Sequence, residues 1–323
     1  MRREGSPWQG LGTVLLKELA DHFDSARMML LALLMVLGAA VPFYGAVKQL
    51  QATTSEDPFL LLKLFNPGGQ TLSVVAILSF VIPVMAIGLG FDSVNGEHNR
   101  RTLSRILAQP IYRDALLAGK FLAGLTVLAV NLVCLWLLVV GLGVLFLGVP
   151  PSGDEFNRSL VFLFIAIAYA GVWLGLAMLF SVLFRSPASA ALLALGVWLF
   201  MALLWPLMTP NIADTIAPAR IVTINGLSMV DVEATRSWFL ALSRISPDFL
   251  FEEATQSILT PTTPSLGPVY DQIREFRGIV VGATLPLRET LLTAWPQIVA
   301  LVSGVIVLFV ATYVSFQRQE VRA

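Results

Sequence analysis

The chain has 323 residues with 21 basic and 21 acidic side chains, and 56% of it is hydrophobic against 13% charged. A water-soluble domain carries roughly 25% charged residues and cannot hide this much apolar surface. Zero net charge also leaves no bulk footprint for nucleic acid. An all-α membrane protein is expected instead.

Residues 6–27 read as an amphipathic elbow helix lying on the inner membrane surface, within a cytoplasmic N-terminal piece, 1–27. Ser6 supplies a cap, Pro7 suits the first turn, and Gln9 follows the cap by three positions. Trp8, Leu11, Leu15, Leu19 and Phe23 recur as one apolar stripe, and Lys17, Glu18, Asp21 and Asp24 fall off it.

Six apolar runs follow, at 28–47, 71–91, 115–147, 159–184, 187–208 and 293–316. Each is close to the roughly 20 residues that a helix needs to cross the hydrocarbon core. The first begins too far along the chain, and without a small-residue cleavage site, to be a cleaved signal peptide. The third is long for one crossing, which predicts tilt or a break near Gly141 and Gly143. Only Arg185 and Ser186 separate the fourth and fifth, so these form a tight helical hairpin. Five spans thus occupy 28–208 with a loop at 92–114. Residues 209–292 form an extracytoplasmic segment, 293–316 the sixth span and 317–323 a cytoplasmic tail.

Lys and Arg in short loops orient such a bundle. With the N-terminus inside, the inner segments are assigned Arg2, Arg3, Lys17, Arg27, Arg100, Arg101, Arg105, Arg113, Lys120, Arg158, Arg318 and Arg322. The outer loops are assigned Lys48, Lys63 and Arg185. Both termini are therefore expected in the cytoplasm.

In the inner loop, residues 97–107 can form a short helix with Leu103, Ile106 and Leu107 on one side. Arg100, Arg101, Ser104 and Arg105 surround the rest. Pro110 stops it, lacking an N–H, and Asp114 can cap the next span. A charged helix between short connectors, poor in the Gly and Ser of flexible linkers, suits the transmission of a push. The segment 209–292 is predicted helical at 225–243 and 246–259, the second opened by Ser246 and Pro247. Phe249, Leu250 and Phe251 give that helix an apolar end suited to dip toward lipid.

The spans carry almost no ionisable groups: Lys120 sits at the mouth of the third, and Asn131 is the main polar residue deeper in it. Ion-driven carriers place carboxylates or histidines at membrane depth. The sequence has no G-x-x-x-x-G-K-[ST] loop, so energy from ATP would have to come through a separate chain. His22 and His98 are far apart, so no His/Cys cluster with metal spacing is present, and neither lies in 209–292, so no Ser/His/Asp set can be assembled there. Met201, Met208 and Met229 read as gap-fillers, and Cys134 as a small packed hydrophobe. No catalytic, cofactor-binding or metal site is expected.

The inner loop resembles that of ABC-2 type transporter permeases through Glu97, Thr102–Leu103, Pro110–Ile111, Arg113 and Gly119–Lys120. The stretch 17–28 resembles the elbow helix of the family. Arg101 departs from it, standing where many relatives have Gly. The resemblance implies a homodimeric permease in a prokaryotic inner membrane, paired with two ABC ATPase subunits that carry ATP and Mg. It implies that the coupling helix enters a groove of that ATPase, with Arg100, Arg101 and Arg105 making polar contacts and Leu103 and Leu107 packing. Export is the function implied. The alternative is a mechanotransmitter that passes ATPase motion to an extracytoplasmic partner through 209–292, with no solute moved.

Overall fold

The computed structural model describes residues 10–52, 59–66, 72–99, 113–148, 150–218, 220–224, 227–231, 233–261 and 284–318. Six helices in it are long and apolar enough to cross a membrane. In chain order the elements are α1 (Leu11–Phe23), α2 (Ala26–Ala52), α3 (Leu60–Phe65), α4 (Val74–Gly90), α5 (Asn95–Asn99), α6 (Arg113–Leu147) and α7 (Gly153–Leu183). Then follow α8 (Pro187–Leu199), a π-helical turn (Phe200–Leu204), α9 (Trp205–Ile216), β1 (Arg220–Ile224), β2 (Leu227–Asp231), α10 (Glu233–Ser243), α11 (Pro247–Leu259) and α12 (Leu287–Arg318).

Local chemistry sets the helix starts. Ser73 caps α4 by accepting from Ala76 N at 3.0 Å. Ser152 and Glu155 form a reciprocal capping box at the start of α7. Pro187 and Pro247 occupy first-turn positions of α8 and α11, where no N–H is required. Asp114 lies in the first turn of α6 and accepts a hydrogen bond from Gln317 at the end of α12.

The core is centred on α7, with 72% of its most apolar window buried, against 11% for the fifth span. Tyr169 and Trp173 of α7 are among the largest fully buried side chains. Gly90 lets α4 close on α7, because a Cβ there would stand 2.8 Å from the Ala177 Cβ.

The third span is one unbroken helix of 35 residues, so the expected break near Gly141 and Gly143 does not occur. Gly143 instead admits α3: a Cβ there would meet Leu64 Cδ1 at 2.4 Å. Cys134 is exposed rather than packed inside. It lines an apolar groove of about 380 Å³ on α6, together with Ile167 of α7. The fifth span runs on through α9 to Ile216. The predicted helix at 225–243 is a helix only from Glu233, since β2 occupies 227–231 and pairs antiparallel with β1.

The segment after α9 turns back into the bundle. At its start, Thr235 Oγ1 bonds Ala217 O at 2.5 Å, and near its end Leu242 O accepts from Trp205 Nε1 at 2.9 Å. So α10 descends along α9, and α11 returns between α7 and α12, with Ile258 near Arg158 at the start of α7. Asp248 at the bottom touches Tyr169, which lies ~24 Å along α7 from Gly153 at 1.5 Å per residue. The tip of this helical hairpin therefore reaches about the middle of the bundle.

These contacts also correct two of the charge assignments. Arg185 O accepts from Asn99 Nδ2 at 3.2 Å, which places Arg185 at the end that carries the loop after α4. Arg158 lies at the opposite end, fully buried. An odd number of crossings separates the two loops, and the linear assignment had them exchanged. The exchange leaves the charge imbalance unchanged.

Candidate functional site: the charged hub beneath the spans

At the loop end of the bundle, α1 lies across the start of α6. The approach is close because residue 119 is Gly: a Cβ there would stand 2.7 Å from Val14 Cγ1. The next residue, Lys120, is thereby held against α1, and its Nζ lies 2.9 Å from Glu18 Oε1 and 2.7 Å from Glu97 Oε1. All three side chains are nearly enclosed, at 4%, 10% and 14% exposure. Lys17 Nζ adds a second contact to Glu18 at 2.9 Å and one to Asp21 at 2.9 Å. The chain Lys17–Glu18–Lys120–Glu97 alternates in sign, so its charges compensate without bulk water.

The electrostatics follow from that packing. Burial alone pushes the Glu18 carboxyl up; the ammonium groups of Lys120 and Lys17 overcome it and hold the group below its ordinary value. Burial, opposed by Glu18, pushes the His22 imidazole down.

A second set of bonds ties the loop to other helices. Arg27 Nη1 lies 3.0 Å from Asp92 Oδ2, with its guanidinium 5.3 Å from the centre of the Phe91 ring. Ser181 Oγ of α7 accepts from Val94 N at 3.0 Å and Asn95 N at 3.2 Å. The carbonyls of Phe184 and Arg185, just past the end of α7, accept from Asn95 and Asn99 side chains, each at 3.2 Å. Carbonyls at a helix end lack intrahelical donors, and these asparagines supply them. The beginning of the loop is thus fastened to α1, α2, α6 and α7 at once.

Of the residues singled out from sequence, Glu97 belongs to the hub and Arg113 opens α6. Arg100, Arg101, Thr102, Leu103, Arg105, Leu107 and Pro110 lie outside the described residues, as does Trp8. On α1, Leu11, Leu15 and Leu19 are half-buried, and Lys17 is exposed but paired. Phe23 is 52% exposed and leaves the expected stripe, while Val14 and Glu18 are its buried members. Glu18 was grouped with the polar face because its partner lies 102 residues away. A signal for it existed: a lysine set inside an apolar run is costly unless it pairs or reaches the interface, and Lys120 lies between Gly119 and Phe121 in such a run. Among the described residues, no group of His, Cys, Asp and Glu could hold a metal ion.

Comparison with known proteins identifies the family. The family model for "ABC-2 family transporter protein" matches residues 13–321. The chain is similar to the probable ABC transporter permease protein NosY of Pseudomonas aeruginosa PAO1, at 27% identity over 60% of this chain and 68% of that protein. It is also similar to the protein of the same name from Stutzerimonas stutzeri, at 28% identity over 59% of this chain and 66% of that one. The matched stretches thus span about two thirds of each relative's length. Six membrane-length helices and a family match over nearly the whole sequence lead to one conclusion: the chain belongs to the ABC-2 transporter family, as a multi-pass membrane subunit.

Proposed function

We propose that this chain is the permease of an ATP-driven exporter, working as two copies with two copies of a separate ATPase that binds ATP and Mg. The ATPase docks on residues 92–114 from the cytoplasm, where both termini also lie. The observation that carries the reading is the hub: a buried lysine clamped by carboxylates from α1 and from the loop, beside bonds to α2 and α7. Such a clamp makes the loop a handle on the bundle. ATP-driven closure of the ATPase pulls that handle and tilts the spans. The hairpin of α10 and α11 is fastened to α7 near its middle and at its far end. Motion of α7 is therefore carried to the extracytoplasmic side, which also supports a second reading, transmission of motion to a partner there.

Pull-down of an ABC ATPase subunit co-expressed with this chain tests the docking. Charge reversal at Arg101 and Arg105, or Leu103→Asp, is expected to release the ATPase while the permease stays folded. Unchanged capture of the ATPase would refute docking at this loop.

A further inference from the structure

The tip of the hairpin holds an acidic side chain whose protonation can be argued from hydrogen counting. The counting begins at two prolines. In α4, the Ser79 carbonyl would accept from the N–H of residue 83, which is Pro83 and has none. In the π-helical turn, Trp205 N–H bonds Phe200 O, and the next residue, Pro206, has no N–H to offer Met201 O. Two carbonyls in the middle of the bundle are thus left without backbone donors.

Two hydroxyls replace them. Tyr169 Oη lies 2.8 Å from Ser79 O, and Ser246 Oγ lies 3.3 Å from Met201 O. Each hydroxyl has a single hydrogen. Buried carbonyls need a donor, so both hydrogens are committed. Yet the same oxygens also touch Asp248: Tyr169 Oη contacts Oδ1, and Ser246 Oγ lies 3.3 Å from Oδ2. The Trp198 indole N–H faces the carboxyl without reaching full hydrogen-bond geometry. Beside that weak contact, the backbone N–H of Asp248 itself remains as a donor to the carboxyl.

Among the described residues, no cation offsets a negative charge there. The residues of α4, α8 and the π turn include no charged side chain, and α7 presents Tyr169. On α11, Glu252 is itself acidic, and Glu253 is bound by Arg244 at 2.7 Å and 2.9 Å. Gln297 of α12 is neutral; Arg288 and Glu289 stand at the far start of that helix. Lys63 on α3 is engaged with its own partner, and Glu233 and Arg236 lie toward the start of α10. A buried carboxylate with no described cation beside it, and with both neighbouring hydroxyl hydrogens given to carbonyls, is disfavoured against the neutral acid.

We propose that Asp248 is a proton-binding site: held against α7 in this arrangement, it is a neutral carboxylic acid that donates its hydrogen to Tyr169 Oη. The reading concerns the chain alone, so it stands or falls apart from ATP coupling.

Infrared spectroscopy of the purified full chain in lipid nanodiscs tests it. At pH 7 the C=O band of a protonated carboxyl, shifted by deuteration, is expected in the wild type and in Glu252→Gln, and is expected to vanish in Asp248→Asn. Loss of only a carboxylate band in Asp248→Asn would overturn the proposal. If that variant does not fold, the Glu252→Gln protein decides alone: a protonated-carboxyl band persisting at pH 7 supports the site, and its absence overturns it.

Discussion

Replacing Lys120 by Met is expected to destabilise the chain by about 3–5 kcal/mol, the usual loss when one member of a buried ion pair is removed. Glu18 and Glu97, each nearly enclosed, would then lose the cation they share, and Glu18 would keep only the more exposed Lys17. The hub would open at its weakest seam, α1 against α6, where contact depends on the close approach at Gly119. Thermal unfolding measures the stability, and limited proteolysis near residue 24 detects release of α1. The triple variant Lys120→Met, Glu18→Gln, Glu97→Gln removes the three enclosed charges, leaves Lys17 paired with Asp21, and is expected to regain most of the loss, since the dominant cost is two enclosed carboxylates deprived of their shared cation. A triple variant as unstable as the single one would mean that Lys120 acts through packing of its stem. In the complex with the ATPase, the single variant is also expected to bind the ATPase but to lose stimulation of ATP turnover.

Arg158→Ala is expected to cost a similar ~3–5 kcal/mol, but at the other end of the bundle. The guanidinium is fully buried. It donates to Asp154 at 2.6 Å, Thr290 Oγ1 at 3.0 Å, Ile258 O at 3.4 Å and Leu285 O at 2.7 Å, and stacks 5.6 Å from the Phe59 ring centre. One side chain thereby joins α7, the end of α11 and the entry to α12. Its loss leaves the Ile258 and Leu285 carbonyls without this donor and frees the outer end of the hairpin. Hydrogen exchange is expected to accelerate in α11 and at the start of α12 while the hub stays protected. Arg158→Lys is expected to recover less than half, because an ammonium cannot span the fork of acceptors. Uniform acceleration across the bundle would show that Arg158 holds the whole fold rather than the hairpin.

These two sites differ in how far the sequence announced them. The six spans are legible because hydropathy reports lipid contact directly. Glu97, Gly119 and Lys120 stand out because they sit in short polar stretches against long apolar runs. Glu18 does not, since pairing across 102 residues leaves no local periodicity. Arg158 looks like a topology charge from sequence, because nothing local says that carbonyls from residues 258 and 285 converge on it. The β-hairpin was missed although Asn225 and Gly226, a strong turn dipeptide, separate two runs rich in β-branched residues. The descent of α10 and α11 into the bundle was only hinted at by Phe249, Leu250 and Phe251. Of these, Leu250 and Phe251 are buried in protein rather than facing lipid.

The central claim is that the hub moves as one block and passes its motion to the hairpin. Paired spin labels test it most directly, with Cys134 replaced by Ser because it is exposed. Leu16 on α1 and Leu183 at the end of α7 are exposed, at 69% and 52%, and flank the hub. Gln256 is exposed on α11. In the complex with the ATPase, the Leu16–Leu183 and Leu183–Gln256 distances are both predicted to be the same with and without bound ATP, while the distance between Gln256 labels on the two copies changes. A Leu16–Leu183 or Leu183–Gln256 distance that changes with ATP would contradict the account.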